Sequence, residues 1–267
     1  MPRFANPITV FLARSNEDPV KIIGVACLVA LVSALVVSTA SVALKPYQDA
    51  HLEAERAARM AQMLERLPGM EDILSEAGAD SLVTRLVDLS DGSFVDGIDP
   101  DSYDPSAAAT DPASAVPIPT EEDVAGLRQR APYAPVYLLE RAGTLELVLL
   151  PVSGTGYQST IRAMLALETD LTTIAALTIL EQNDTPGMGA RIEEPEWQAL
   201  WAGKQISDES GAIVIEVVRG QASGPYQVDG ISGATRTGNG VADMLRYWLG
   251  AHGFGPFLTR LAEGGTP

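Results

Sequence analysis

A run of uncharged, mostly apolar residues near the N-terminus, Ile22–Leu44, constrains the fold of this chain more than any other segment. Its 23 residues would extend roughly 35 Å as a helix, which is enough to cross a bilayer. Lys21 and Lys45 flank the run. We therefore predict a transmembrane helix over residues 22–44, with residues 1–21 on one side of the membrane and the bulk of the chain on the other.

A secretory signal peptide is the alternative interpretation of this run, because the small residues of Ser38–Ala43 would suit a signal peptidase. The apolar core of a signal peptide is normally shorter, which favours a retained anchor. Arg3, Arg14 and Lys21 precede the run. The positive-inside rule then predicts a cytoplasmic N-terminus and, in a bacterium, a periplasmic domain anchored in the inner membrane.

Composition excludes several functions. The net charge of −17 and the pI near 4.4 argue against nucleic-acid binding, which needs a basic surface. Cys27 is the only cysteine, so neither an internal disulfide nor a cysteine-ligated cluster can form within the chain. The two histidines, His51 and His252, are too few and too far apart in the sequence to indicate a zinc site, and we predict no metal.

The region that follows the apolar run, residues 45–132, is predicted to be a juxtamembrane helix followed by a variable acidic region. Helical spacing of apolar residues indicates a helix over Asp49–Leu67, and Met70–Glu76 could form a second. Val83–Leu89 alternates weakly, as a strand would. Asp96–Pro119 is rich in Asp, Pro, Ser and Ala and is expected to be an extended loop. Thr120–Asp123 resembles a capping box that begins a helix ending near Gln129.

The region 133–257 is predicted to be one domain, followed by a tail over residues 258–267. Runs rich in β-formers alternate with turn signals and with two amphipathic segments. The predicted strands are Pro135–Arg141, Thr144–Pro151, Thr160–Leu167, Thr172–Leu180 and Ala212–Val218, and the predicted helices are Glu194–Trp201 and Gly240–Leu249. Strands in adjacent runs favour an α+β fold, with a mixed, largely antiparallel sheet and flanking helices.

The nine-residue segment Asp229–Thr237 carries the chemistry of this domain. It contains two glycines and three hydroxyl side chains, Ser232, Thr235 and Thr237, before the predicted helix. A helix N-terminus presents unpaired N–H groups and attracts phosphate, and glycine lets the backbone approach a ligand. A hydroxyl there could contact a phosphate or be esterified to it. The alternative is that the segment only caps the helix.

The order Asp-Gly-Ile-Ser-Gly-Ala-Thr-x-Thr resembles the flavinylation motif of FMN-binding domains in respiratory flavoproteins. In that family a flavin transferase joins FMN through its phosphate to the last hydroxyl residue of the motif. The resemblance therefore implies covalent FMN on Thr237, with Ser232, Gly233, Ala234 and Thr235 in contact with the phosphate.

Two further segments resemble the same family. Pro151–Thr160 is similar to its Pro-x-Ser-Gly-x-Gly-x-x-Ser loop and implies FMN contacts from Gly156, Tyr157 and Ser159, although many members have an aromatic residue where Gln158 stands. Its Gly-x-Gly lacks the third glycine of a dinucleotide-binding fingerprint, so we expect no NADH site. Asp184–Gly189 is similar to a Glu-Thr-Pro-Gly-Leu-Gly loop and implies contacts from Thr185, Pro186, Gly187 and Met188. Lys204 matches a family Gly-Lys and could face the phosphate or the flavin carbonyls.

The order of anchor, acidic region and three motifs resembles the C subunits of sodium-translocating NADH:quinone reductases. This resemblance implies a single-pass member of a complex of six subunits, which passes electrons between a membrane iron centre and a second protein with covalent FMN. Those electrons would come from NADH and reach ubiquinone, with sodium export. The alternatives are the G subunit of an Rnf-type ferredoxin:NAD complex, a stand-alone flavinylated carrier, and a non-redox anchored binding or assembly module.

Overall fold

The structure, a computed structural model, describes residues 15–16, 18–35, 38–39, 81–141 and 143–264. These residues fall into two compact units, the first within residues 1–61 and the second within residues 62–267. The predicted helices Asp49–Leu67 and Met70–Glu76 lie outside the described residues.

The first unit is helical over residues 19–35 and 38–39. Its apolar side chains are exposed, with Leu28, Leu31 and Leu35 each more than 60% accessible. Among the residues described, no helix combines the length and the hydropathy that a bilayer crossing requires. Part of the predicted span, residues 36–37 and 40–44, lies outside the described residues.

The second unit is a mixed sheet domain with flanking helices, as the sequence predicts. In chain order its strands are β1 Ser81–Asp88, β2 Val116–Pro117, β3 Gln129–Arg130, β4 Tyr133–Arg141, β5 Thr144–Thr155, β6 Thr160–Glu168, β7 Ile174–Glu181, β8 Glu216–Val218 and β9 Gln227–Asp229. Its α-helices are α1 Pro105–Thr110, α2 Pro195–Gln198, α3 Thr235–Leu249 and α4 Gly255–Ala262. Two 3-10 helices, Gly189–Glu193 and Ala199–Trp201, flank α2.

The main sheet is antiparallel, with the strand order β1-β4-β5-β6-β7. Adjacent strands in the sequence are adjacent in space from β4 to β7, which is why short hairpin connections could be read from the sequence. The predicted adjacent strands Pro135–Arg141 and Thr144–Pro151 pair as β4–β5, and Thr160–Leu167 and Thr172–Leu180 pair as β6–β7. The β8–β9 pair is parallel and makes the domain mixed.

Helix α3 packs against the end of β5 and closes the core. Val241, Met244 and Leu245 recur at helical spacing and are fully buried, so one face of α3 lies on the apolar cluster of the sheet. Trp248 of the same face donates from Nε1 to the Ser153 carbonyl at 2.7 Å. This contact fixes the helix relative to the strand that leads into the 156–159 loop.

Three sequence predictions are wrong in detail. The predicted helix Thr120–Gln129 is a turn, because Asp123 accepts from the backbone N–H groups of Leu127 and Arg128 and closes a loop instead of a helix. The acidic segment Asp96–Pro119 is not fully extended but contains α1, which the Asp104 side chain caps. The predicted strand Ala212–Val218 shortens to β8.

Helix α4 crosses the boundary that the sequence analysis placed after residue 257. Phe257 and Leu258 are buried, and the Phe257 ring meets Phe94 edge-on at 5.7 Å. Arg260 adds a bond from Nε to the Asp91 carbonyl at 2.9 Å. Residues 255–262 are therefore part of the packed domain and not a tail. Strand β1 likewise extends the same sheet before residue 133.

We expect Phe257→Ala to lower the free energy of unfolding by about 3–5 kcal/mol, since it removes a buried ring and leaves a cavity under α4. Urea unfolding followed by tryptophan fluorescence measures this change. Val124→Ala, at a side chain that is 52% exposed, is the control and should change stability by less than about 0.5 kcal/mol. Equal effects of the two substitutions would contradict the docking of α4.

Candidate functional site

The segment Asp229–Thr237, which we call the flavinylation-like segment, forms a tight turn that leads from β9 into α3. Ile231 is buried and anchors the turn, and the Ala234 N–H donates to the Ile231 carbonyl at 3.0 Å. Gly233, with φ of 81°, stands at the third position of this turn. A type II turn requires a positive φ there, so the glycine has a local structural reason in addition to ligand approach.

Helix α3 begins at Thr235, five residues before the predicted start at Gly240. The predicted start lies too far along the chain because Gly238 and Gly240, in the first turns, are poor helix formers and interrupt the helical pattern of the sequence. No side chain caps the helix at Ala234. The first-turn N–H groups thus keep the anion affinity of an open helix N-terminus, and Thr237 lies within that first turn.

The three hydroxyl residues of the segment differ sharply in their environment. Ser232 is exposed on the turn, and Thr235 is half-buried. Thr237 is only 1% exposed, and its Oγ1 donates to Oδ2 of Asp184 at 2.5 Å. Thr237 is therefore the one hydroxyl of the three that a carboxylate holds in a fixed orientation in this structure.

Asp184 is the centre of a cluster that joins three segments of the chain. Its carboxylate accepts from the backbone N–H of Gln158 at 2.9 Å and of Tyr157 at 3.2 Å, and from Ser159 Oγ at 3.3 Å. With Thr237 these residues form what we call the Asp184 cluster: Tyr157, Gln158, Ser159, Asp184 and Thr237. The loop of residues 156–159, the loop of residues 184–189 and the start of α3 thus meet at one carboxylate.

The Asp184 carboxyl is held in its charged form. Burial alone would raise its pKa, because only 4% of the residue is accessible. The hydrogen bonds that it accepts, that from Thr237 first among them, outweigh burial and hold the pKa of this carboxyl below its ordinary value. An ionised acceptor therefore faces the Thr237 hydroxyl across the physiological pH range.

The loop that carries Asp184 folds back over the Thr237 hydroxyl. The Met188 N–H donates to the Thr185 carbonyl at 3.1 Å, and Pro186 and Gly187 occupy the two middle positions of this exposed turn. Gly189 then passes so close that an added Cβ would stand 2.7 Å from Thr237 Oγ1 and from Asp184 Cβ. The hydroxyl is covered by a glycine backbone that no larger residue could replace without displacing the cluster.

An exposed patch adjoins the cluster. The Tyr157 side chain is 52% accessible and Met188 is 46% accessible, although both are large. The Arg236 guanidinium lies 5.5 Å from the centre of the Tyr157 ring, and the Met188 methyl faces Gly233. An aromatic ring, a thioether and a cation therefore border the turn that leads to Thr237.

The remaining predicted contact, Lys204, donates from Nζ to the Gly224 carbonyl at 3.2 Å, in the loop before β9. The Asp184 cluster is assembled without it. The predicted helix that contains Trp197 is α2 and a 3-10 turn, and Trp197 Nε1 donates to the Asp229 carbonyl at 2.9 Å. This tryptophan therefore fixes the end of β9, directly before the segment that carries Thr237.

Sequence reasoning missed two residues of the site, Asp184 and Arg236. In the sequence Asp184 stands out only as a replacement for Glu at the start of a loop. Its partner Thr237 lies 53 residues further along the chain, so no local pattern reveals the contact. The available signal was an acidic residue next to a Pro-Gly turn in a segment that already resembled a ligand-binding loop.

We expect Asp184→Asn to lower the free energy of unfolding by about 1–3 kcal/mol at pH 7, because the charged acceptor of several hydrogen bonds is lost. The folded-state pKa is depressed, so the contribution of the carboxylate is complete above the unfolded-state value near 3.9 and is lost as the pH falls below it. The stability gap between the two proteins should therefore shrink below about pH 4.

Urea midpoints at pH 7 and at about pH 3.5 measure this gap. Asp208→Asn, at a half-buried aspartate that accepts only from its own turn, is the control and should shift the urea midpoint at pH 7 much less than Asp184→Asn does. A gap between wild type and Asp184→Asn that stays constant with pH would contradict the depressed pKa.

Comparison with known proteins places these features in a family. Residues 156–250 match the family described as FMN-binding domain, a range that includes both loops and the start of α3. The C subunit of the Na(+)-translocating NADH-quinone reductase of Pseudomonas aeruginosa is 40% identical over 258 residues, covering 94% of this chain and 98% of that protein. The C subunit of the Vibrio vulnificus reductase is 38% identical over 253 residues, with coverage of 94% and 98%.

Solved structures agree with the sequence relatives. The crystal structure of Shewanella oneidensis NqrC is similar with a TM-score of 0.66 and 31% identity, over 72% of this chain and 88% of that one. The C subunit from Parabacteroides distasonis is similar with a TM-score of 0.51 and 29% identity, over 66% and 77%. The chain therefore belongs to the family of C subunits of Na(+)-translocating NADH-quinone reductases, an oxidoreductase complex, and contains an FMN-binding domain.

Proposed function

We propose that this chain carries FMN as a phosphoester on Thr237 Oγ1 and relays electrons within a sodium-translocating NADH:quinone reductase. The observation that carries the proposal is the hydrogen bond from Thr237 Oγ1 to Asp184, at the uncapped start of α3. It singles out one hydroxyl of the flavinylation-like segment and holds it where a phosphate is favoured.

The residues present fit a phosphate-linked aromatic cofactor. The open N-terminus of α3 provides N–H donors and a partial positive charge for the phosphate. Ser232 on the preceding turn and Thr235 at the first position of α3 add hydroxyl groups. Next to them, the exposed Tyr157 and Met188 side chains offer an apolar surface of the kind on which a flavin ring packs.

When bound, FMN supplies the reversible electron transfer, and the chain supplies position and electrostatics. Arg236 brings a positive charge beside the Tyr157 ring, which favours added negative charge on a neighbouring ring system. Asp184 holds the 156–159 loop beside the start of α3, because it accepts from Tyr157, Gln158 and Ser159 of that loop as well as from Thr237. A covalent bond to Thr237 keeps the cofactor from being lost where the site is open to solvent.

We further propose that Ile22–Leu44 anchors the chain in the bacterial inner membrane with the FMN domain in the periplasm. The proposal is supported by the uncharged sequence of this run and by the exposed leucines of the helix 19–35, which have no apolar covering in the described part of their own unit. The partners of such a protein are the other subunits of the complex, among them a second one with covalent FMN and the iron-binding membrane subunits, and the flavin transferase that matures it.

We expect Thr237→Ala to abolish covalent flavin, because it removes the oxygen that forms the ester. The full chain is expressed with a flavin transferase, run on a denaturing gel and viewed under ultraviolet light, where a flavinylated band fluoresces. Ser232→Ala and Thr235→Ala are matched controls, since each removes a hydroxyl from the segment Asp229–Thr237, and both should keep the fluorescent band. Thr237→Ser keeps a hydroxyl at this position and should also give a fluorescent band.

The proposal would be contradicted if Ser232→Ala or Thr235→Ala lost fluorescence while Thr237→Ala kept it. Such a result would place the attachment point on one of the other two hydroxyls. A wild-type band without fluorescence in a host that flavinylates a known acceptor would reject covalent flavin altogether. Intact mass resolves both cases, because the ester adds the mass of FMN less one water.

A further inference from the structure

We propose that Asp184 orients the Thr237 hydroxyl for flavin attachment and accepts its proton when the ester bond forms. This inference rests on the proposed function, since it concerns how the phosphoester on Thr237 is made. In this proposal a residue of the acceptor chain, and not the transferase alone, takes part in flavin attachment.

The geometry of the hydrogen bond is that of a prepared nucleophile. The 2.5 Å separation of Thr237 Oγ1 and Asp184 Oδ2 lies at the short end of O–H···O⁻ bonds. The hydroxyl proton therefore points at the carboxylate, and the lone pairs of Oγ1 point away from it. A positioned base next to a hydroxyl is the general arrangement that activates serine and threonine nucleophiles.

Asp184 is itself held in place, as a proton acceptor must be. The backbone N–H groups of Tyr157 and Gln158 bind both carboxylate oxygens, and the Asp184 N–H donates to Gln182 Oε1 at 2.6 Å. These contacts leave the carboxylate little rotational freedom. Positioning of this kind contributes to rate by keeping the reacting groups in one geometry.

The cover over the hydroxyl is continuous with an exposed turn. Thr237 is buried beneath Gly189, but the preceding turn residues Pro186, Gly187 and Met188 are all exposed. The contacts of Asp184 go to the 156–159 loop and not to this turn. Outward movement of this turn together with Gly189 would expose Thr237 Oγ1 to a donor, and the bonds that Asp184 accepts from the 156–159 loop could remain in place.

The step balances with a flavin phosphoanhydride as the co-reactant, supplied by the transferase. A bond forms between Thr237 Oγ1 and the phosphorus next to the flavin, and the anhydride P–O bond breaks. The electron pair of that bond leaves with the second phosphate, and the hydroxyl proton passes to Asp184 Oδ2 and then to solvent. No electron transfer is involved, and the chain gains the mass of FMN less one water.

A second aspartate provides a matched control. Asp170 also accepts from a threonine hydroxyl, Thr173 Oγ1 at 2.6 Å, and from two backbone N–H groups. It lies on an exposed turn between β6 and β7, away from the flavinylation-like segment. Asp170→Asn therefore removes the same type of contact without touching Thr237.

The test measures the rate of covalent labelling of the purified full chain by a flavin transferase with a flavin phosphoanhydride, followed by gel fluorescence and intact mass. We expect Asp184→Asn to be labelled about 10² times more slowly than wild type, the lower end of what a positioned base contributes, because the low pKa of this carboxyl makes it a weak base. Asp170→Asn should be labelled at the wild-type rate. Asp184→Glu, which keeps a carboxylate, should recover most of the rate, and formate added to Asp184→Ala should restore part of it.

Labelling of Asp184→Asn at the wild-type rate, with Thr237→Ala unlabelled, overturns this inference and leaves the proposed function intact. An unlabelled wild type rejects the proposed function instead. Near-ultraviolet circular dichroism checks that each variant is folded. If Asp184→Asn does not fold, the Glu variant decides: a folded but unlabelled Asp184→Glu overturns the inference, and labelling within tenfold of wild type supports it.

Discussion

The carboxylate of Asp184 connects the fold of this domain to its chemistry. It is buried, charged, and bound by donors from the 156–159 loop and from the first turn of α3. A buried charge is tolerated only when its hydrogen-bonding capacity is satisfied, so these segments must come together for the domain to fold with Asp184 in place. The same requirement fixes the Thr237 hydroxyl, so under the proposed function one interaction is both a structural contact and a preparation for flavin attachment.

The rest of the domain serves to bring those donors to one point. In the antiparallel sheet, the 156–159 loop follows β5 and the loop that carries Asp184 follows β7. Helix α3 is held on β5 by Trp248, and β9 is held by Trp197, so the turn between β9 and α3 has a fixed position. The two tryptophan contacts therefore link the packed core to the segments that place Thr237 beside Asp184.

Much of this could be predicted from the sequence, and the failures have physical causes. Hairpins β4–β5 and β6–β7 were predictable because their contacts are local and their turns carry clear signals. The start of α3 was misplaced because Gly238 and Gly240 are poor helix formers that packing tolerates. The role of Asp184 was invisible because its partner is distant in the sequence. Helix α4 was missed since burial of Phe257 against Phe94, and not local pattern, holds it.

Attachment of FMN to Thr237 can be measured by tandem mass spectrometry of residues 220–246 from the flavinylated chain. Ser232 and Thr235 lie before Arg236, whereas Thr237 is the only hydroxyl residue among residues 237–246. Fragment ions that break the chain between Arg236 and Thr237 therefore separate the candidates. We expect the added mass of FMN less one water on the C-terminal fragments, as attachment at Thr237 requires. The same mass on the N-terminal fragments would contradict it.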